Sequence, residues 1–345
     1  MARARKETPS PCRLVPPLLQ LVRAHQGDVE RLLRRFRLPA DAEAREEVPL
    51  TAPALGLLVE AAAEMLGDPF LALRLPAELT PRTYGLGELA VRASPTGGEA
   101  LGRMARYAPL EHDRLVLALE PREDRVALTC EVRGHPRGLT RPAHEYVLAS
   151  VLTRLRALTG LSGGPRAVWF LHARPRRLEP LERFFGTERL DFGRADSGLL
   201  LDAAWLAAPV RTADARLLAT IEPLAEALLR ARAPAGDFPA TVAARIAESL
   251  EAGPDVETLA ARLHMSKRTL QRRLEESGLG FLELVERVRA ERARELLGEP
   301  QRSLADVAFH LGFSDVSSFS RSFRRWTGLS PGRYRRLPPM PGPGT

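Results

Sequence analysis

The apolar positions fall into two textures. Leu18, Leu21 and Val22, then Leu55, Leu58, Val59 and Ala62, recur at the three- and four-residue spacing of helices that bury one face. Over residues 76–133 that spacing gives way to glycine and proline, as in Tyr84-Gly85-Leu86-Gly87 and Ser94-Pro95-Thr96. Two alternating runs follow, 114–120 and 125–132. Their Leu115, Leu117 and Leu119, then Val126, Leu128 and Cys130, predict two half-buried strands around a turn at Pro121-Arg122-Glu123-Asp124. Helices are predicted over 144–158, 178–185 (stopped by Gly186) and 214–232, with short strands at 167–172 and 199–201. The stretch Ala233-Pro234-Ala235-Gly236-Asp237 interrupts the pattern, which then resumes as helix almost throughout 241–334. The organisation expected is a disordered tail over 1–15, an α+β domain over 16–232 and a linker over 233–240. An all-α domain over 241–337 and a second disordered tail over 338–345 complete it.

The all-α part repeats itself. Val256, Leu259, Ala260, Leu263, Met265 and Ser266 return as Leu304, Val307, Ala308, Leu311, Phe313 and Ser314. After a one-residue slip, Leu270, Arg272 and Leu274 match Phe319, Arg321 and Phe323. Each copy predicts two short helices about a tight turn, the grammar of a helix-turn-helix. Ala260 and Ala308 let the second helix approach. Gly312 suits a positive φ in the second turn. Ser266 and Ser314 stand where an N-cap belongs, and Gly278 and Gly328 where the second helices stop. A long helix over 281–297 joins the copies. Ser303 with Asp306 predicts a capping box at the next helix, and Ser330-Pro331 opens a last short one.

Charge gives this module a partner. The 345 residues carry a net +8, and the sign gathers on the second helix of each copy. Lys267, Arg268, Thr269, Gln271 and Arg272 occupy the first, with Arg268, Gln271 and Arg272 on one stripe. Arginine forks to guanine and glutamine pairs with adenine in the major groove, each good pair discriminating by about 1–3 kcal/mol. The second copy offers Asp315, Ser317, Ser318 and Arg321, which suits backbone positioning more than base reading. Arg335 and its arginine neighbours suit phosphates. Two such helices enter successive major grooves on one face when about 34 Å apart. Double-stranded DNA is the expected partner.

Other chemistries are excluded by what is missing. The two cysteines, Cys12 and Cys130, form no CxxC pair, and His112, His135, His144 and His172 are scattered, so neither a metal nor a disulfide framework is expected. No phosphate-binding glycine loop or nucleophile-elbow string occurs, and Gly85 and Gly87 are assigned to a turn. No cofactor and no enzymatic activity are expected. The basic residues 1–6 lack a following apolar core, and no apolar run reaches membrane-spanning length. A cytoplasmic protein without membrane contact is the expectation.

Ala308, Gly312, Phe313, Asp315, Ser317, Phe319, Arg321, Phe323, Gly328, Pro331, Tyr334 and Arg335 resemble the signature of the AraC/XylS family of bacterial transcription regulators nearly throughout. The resemblance implies that Arg268, Gln271 and Arg272 face bases and that Ser317, Ser318 and Arg321 lie at the second groove. His264 departs from it, because a small residue is usual in that turn. Tyr84-Gly85-Leu86-Gly87-Glu88-Leu89, Ser94-Pro95-Thr96, Glu99-Ala100-Leu101, Leu181 to Gly186 and Leu190-Asp191-Phe192 resemble the arabinose-binding-like domain of one subgroup. It implies an effector-sensing or dimerisation domain, a small-molecule effector, a homodimer, and activation through RNA polymerase. Two alternatives stand beside it. One is a regulator without effector, whose N-terminal domain only assembles. The other is a DNA-repair methyltransferase fusion, since Pro11-Cys12-Arg13 partly resembles the Pro-Cys-His-Arg string of those enzymes. The histidine is missing, and Cys12 falls in the expected tail.

Overall fold

The computed structural model describes residues 9–122, 125–133, 135, 140–232, 238–275, 279–299, 301–327 and 329–335. The chain divides between Ala231 and Arg232. In the N-terminal unit, β1 (Ser10–Cys12) pairs antiparallel with β2 (Val48–Leu50), Ser10 opposite Leu50 and Cys12 opposite Val48. The tail expected over 1–15 is therefore corrected, because order already extends through 10–15. Cys12, Leu14 and Val15 are buried, and a three-residue strand is too short for its alternation to be seen in sequence. Then α1 (Val15–Ala24), α2 (Val29–Phe36), α3 (Ala52–Met65) and α4 (Leu71–Glu78) enclose one apolar core through Leu18, Leu32, Leu58 and Leu75.

The glycine- and proline-bearing stretch proves helical. Gly85 takes φ 72° before α5 (Leu86–Ala93), and α6 (Gly97–Glu111) follows. Gly87 is not a turn residue. A Cβ there would lie 2.6 Å from Tyr107 Cβ, so its hydrogen lets α5 and α6 close together. Next come β3 (Leu115–Arg122), β4 (Arg125–Val132), α7 (Arg141–Thr159), β5 (Ala167–Phe170) and α8 (Glu179–Phe185). β6 (Leu190–Phe192), β7 (Ser197–Asp202), α9 (Ala203–Ala207) and α10 (Ala215–Arg232) finish the unit. Strand β3 runs through Pro121 and Arg122, which the pattern gave to the turn; residues 123–124 lie outside the described residues. The five longer-range strands form one sheet in the order β3-β4-β7-β5-β6. It is antiparallel except for β5 and β6, with Val126 opposite Leu201 and Val168 opposite Leu190. Helix α7 packs against α3, α4, α6 and the sheet, burying Leu148, Leu152 and Leu155. Gly186, at φ 71°, stops α8 as expected.

The C-terminal unit is all helix: α11 (Phe238–Ala247), α12 (Val256–Arg262), α13 (Lys267–Glu275), α14 (Phe281–Leu297), α15 (Leu304–His310), α16 (Val316–Thr327) and α17 (Pro331–Tyr334). Helix α11 starts inside the linker expected over 233–240, of which 233–237 lie outside the described residues. Its Phe238 joins Val242 and Ile246 in the buried core, so hydrophobic burial extends the helical unit back past 241. One core joins all seven helices, with Leu259, Leu270, Leu284, Val307, Phe319 and Tyr334 among its members. Gly278, Gly328 and the two chain ends, 1–8 and 336–345, lie outside the described residues.

Candidate nucleic-acid interface

Each copy of the repeat closes its first helix with the same pair of backbone bonds. The Met265 amide donates to the Ala260 carbonyl at 3.0 Å and the His264 amide to Ala261 at 3.0 Å. In the second copy Phe313 donates to Ala308 at 2.9 Å and Gly312 to Phe309 at 2.9 Å. This closure requires a left-handed residue at the penultimate position. Gly312 supplies it at φ 73°; His264 supplies it at φ 55°, against the steric preference of a residue with a Cβ. The departure at position 264 is thus a strained version of the same turn.

After the turn the copies slip by one residue. Ser266 Oγ accepts from the Thr269 amide at 3.2 Å and caps α13. In the second copy the cap is Asp315, whose Oδ1 accepts from the Ser318 amide at 2.7 Å. This corrects the assignment of that role to Ser314, whose hydroxyl instead donates to Asp315 at 3.2 Å. The extra residue moves Ser314 back into the turn. The Ser318 amide, then the Ser318 hydroxyl, hold the Asp315 carboxyl below its ordinary range. Two anticipated caps stand: Ser303 and Asp306 exchange bonds of 3.1 Å at α15, and Ser330 accepts from the Arg333 amide at 3.4 Å with Pro331 in the first turn.

The buried side of α13 is Leu270 and Leu274, which turns Lys267, Arg268, Gln271 and Arg272 outward, all exposed. Lys267 Nζ donates to Glu257 at 3.0 Å, which ties the head of α13 to α12. Thr269 is half-buried, its hydroxyl 2.9 Å from that of Ser266, so it belongs to the cap. On α16, Ser317 and Arg321 are exposed and Ser318 half-buried. Arg321 Nη2 donates to Ser318 Oγ at 3.0 Å, and Ser318 Oγ donates to Asp315 at 2.8 Å, so the arginine is steered by the cap. Arg324 and Arg333 are exposed, whereas Arg335 is half-buried with Nε and Nη2 enclosed and unbonded among the described residues. Of the arginines expected to make this end electropositive, Arg324, Arg325 and Arg333 are therefore the more exposed and Arg335 the more enclosed.

Two positioning residues are invisible to local pattern. Arg289, on α14, donates from Nε to the Leu311 carbonyl at 3.0 Å and lies 5.1 Å from the centre of the Phe313 ring. It braces the second turn from the connecting helix. Arg273 sits 4.0 Å over Phe238 and pins α13 to α11. Each depends on a partner more than twenty residues away, and only the count of arginines hinted at them. Helix α14 has 17 residues, a rod of about 25 Å at ~1.5 Å per residue.

Residues 27–210 match the family model described as the arabinose-binding domain of AraC transcription regulators, N-terminal, and residues 259–337 match a helix-turn-helix domain model. The chain belongs to the AraC family of transcription regulators. This AraC-family regulator is 29% identical over 324 residues to the HTH-type transcriptional regulator VirS of Mycobacterium tuberculosis, covering 91% of this chain and 93% of VirS. It is 28% identical over 286 residues to the ornithine utilization regulator of Pseudomonas aeruginosa, covering 81% and 83%. The crystal structure of the transcriptional regulator CdpR from Pseudomonas aeruginosa aligns at a TM-score of 0.40 and 25% identity, over 89% of this chain and 97% of CdpR. It is a DNA-binding transcription regulator of the AraC type. Among the described residues no helix is long and apolar enough to cross a membrane, and no cluster of three or more His, Cys, Asp or Glu is placed to hold a metal.

Proposed function

We propose that this AraC-family regulator reads bases with α13, positions itself on the next groove with α16, and activates transcription in the cytoplasm when a small molecule occupies its N-terminal domain. RNA polymerase is the protein it recruits, and a homodimer is the form in which it acts. The observation that carries the base-reading assignment is the exposed Arg268, Gln271 and Arg272 stripe, held outward by buried Leu270 and Leu274. Selection of bound sites from random DNA tests it. Arg272→Ala is expected to weaken the selected site by about 1–3 kcal/mol and to relax one base pair. Equal weakening on selected and random DNA sinks the assignment.

The effector arm has its own test. A metabolite that binds the folded chain raises the melting temperature by mass action; an assembly-only domain makes it depend on protein concentration alone. No chemistry of its own is assigned to the chain. Cys12 is 1% exposed, in β1 instead of a tail, and burial pushes its thiol up to about 11. A methyl-accepting cysteine needs the opposite, a lowered and accessible thiol. Transfer of a labelled methyl group from DNA to Cys12 would overturn this.

A further inference from the structure

The N-terminal unit contains a cavity of about 90 Å³, between α3, the end of α6, α7 and the β3–β4 hairpin. Leu14, Leu55, Val59, Leu115 and Val147 give it apolar walls. One water needs roughly 10–15 Å³, so the space is several times larger, and its walls offer water few partners. We propose that it takes a compact apolar molecule bearing one protonated amine, seated on the carboxylate of Glu111; this deepens the small-molecule reading above and rests on it.

The argument is one of charge. Glu111 lines the cavity, and its Oε1 accepts from Arg154 Nη1 at 2.9 Å. The same arginine also binds Glu88 through Nη2, so one buried cation serves two carboxylates. Arg154 lies 4.2 Å over Tyr84, another lining residue, which fixes it in place. Of the other basic groups at the wall, Arg13 is engaged by Glu47 at 3.5 Å, and His112 Nδ1 lies 3.5 Å from the carboxylate of Asp113. His144, also lining, is pulled down to about 4 by burial and is neutral. One negative charge is thus left in excess beside an apolar space. Glu111 is also the last residue of α6, a 15-residue helix, so the negative end of the helix dipole meets the ligand there. Burial raises the Glu111 carboxyl, opposed by Arg154 and helped by Glu88, as expected of a carboxylate short of cationic partners. An ammonium on a small hydrocarbon supplies the missing charge and fills the apolar walls.

Titration calorimetry of the full chain at neutral pH with benzylamine, toluene and benzoate tests this. Benzylamine is expected to bind one to one, about tenfold or more tighter than toluene, as a charge-assisted hydrogen bond requires; benzoate is expected not to bind. Glu111→Gln keeps an acceptor for Arg154, and should lower benzylamine to the toluene level while leaving toluene unchanged. Ala143→Phe, at the wall, should abolish both. Equal binding of benzylamine and toluene, or preference for benzoate, overturns the ammonium assignment without any variant. Binding by none of the three overturns the cavity as a site. In either case the unbiased melting-temperature test still decides separately whether the regulator has an effector.

Discussion

His264 and Gly312 occupy the same place in two copies of one turn, but they are constrained differently. At φ 55° His264 carries the left-handed strain of a residue with a Cβ. Glycine there should stabilise the chain by about 0.5–1 kcal/mol, the ~1–2 kcal/mol of left-handed strain less the entropy of a freer unfolded chain. Gly312 has φ 73° and, in addition, a Cβ at this position would lie 2.2 Å from the Leu250 carbonyl oxygen. Gly312→Ala should therefore cost roughly 2–4 kcal/mol, strain plus overpacking. Urea unfolding of both variants checks the pair; a destabilised His264→Gly would show that the histidine contributes more than its backbone costs. Adjacent Glu145 and His144 make a second residue-scale case. Glu145 is wholly buried, accepts from Arg141 at 2.7 Å, and is pushed up by burial, against Arg141, to about 7 from 4.5. It binds its proton more tightly when folded, so its contribution falls as pH rises from 4.5 to about 7. His144, pulled down from 6.5 to about 4, contributes stability that is lost as pH falls across that interval. Where the intervals overlap the slopes oppose. Glu145→Gln should leave the histidine slope alone, so stability relative to the native chain should rise by roughly 1.4 kcal/mol per pH unit there. Parallel stability curves would mean that the buried carboxyl titrates normally.

What could be read at the level of elements was what neighbouring residues decide. Ser303 with Asp306, Ser330-Pro331 and Gly186 announce helix ends through bonds that span a few residues, and all three stand in the structure. Helices α5 and α6 did not show, because Gly87 and Gly97 look like breakers. Each glycine answers a distant neighbour: a Cβ on Gly97 would come 2.1 Å from the Trp205 carbonyl oxygen. Strands β1 and β2 are three residues each, too short for alternation to register. In the candidate interface the outward stripe of α13 was legible from periodicity, whereas the cap at Asp315 was displaced by the one-residue slip. The brace between α14 and the second turn was hidden for the same reason as α5 and α6. Arg289→Leu removes its bond to Leu311 and its contact with Phe313. The expected loss is roughly 2 kcal/mol of stability, from one charge-assisted bond and a weak cation–π contact. DNA affinity should fall while base preference is retained, because no reading residue is touched. A change in the selected sequence would place Arg289 at the DNA instead.

On the scale of the molecule, the two reading helices are unequal though their scaffolds repeat. The difference between them lies in the side chains presented, not in their net charge: α13 presents Arg268, Gln271 and Arg272, whereas α16 begins behind Asp315 and presents serines, with Arg321 bonded back to Ser318. Guanidinium and amide groups discriminate among base edges, whereas hydroxyls accept several. The connecting helix α14, braced at Leu311 by Arg289, holds both heads in one core, so they must be placed on the duplex together. Sites selected from random DNA should accordingly contain two blocks with centres about 10–10.5 base pairs apart, one turn of the duplex. The block met by α13 should be sharply defined and the other degenerate. Replacing Arg268, Gln271 and Arg272 together by alanine should erase the sharp block yet leave residual binding through backbone contacts, with its steep dependence on salt. Two equally defined blocks would mean that Ser317, Ser318 and Arg321 read bases as strictly as the first stripe. A single block would mean that only one head enters a groove, and that the second copy serves the core alone.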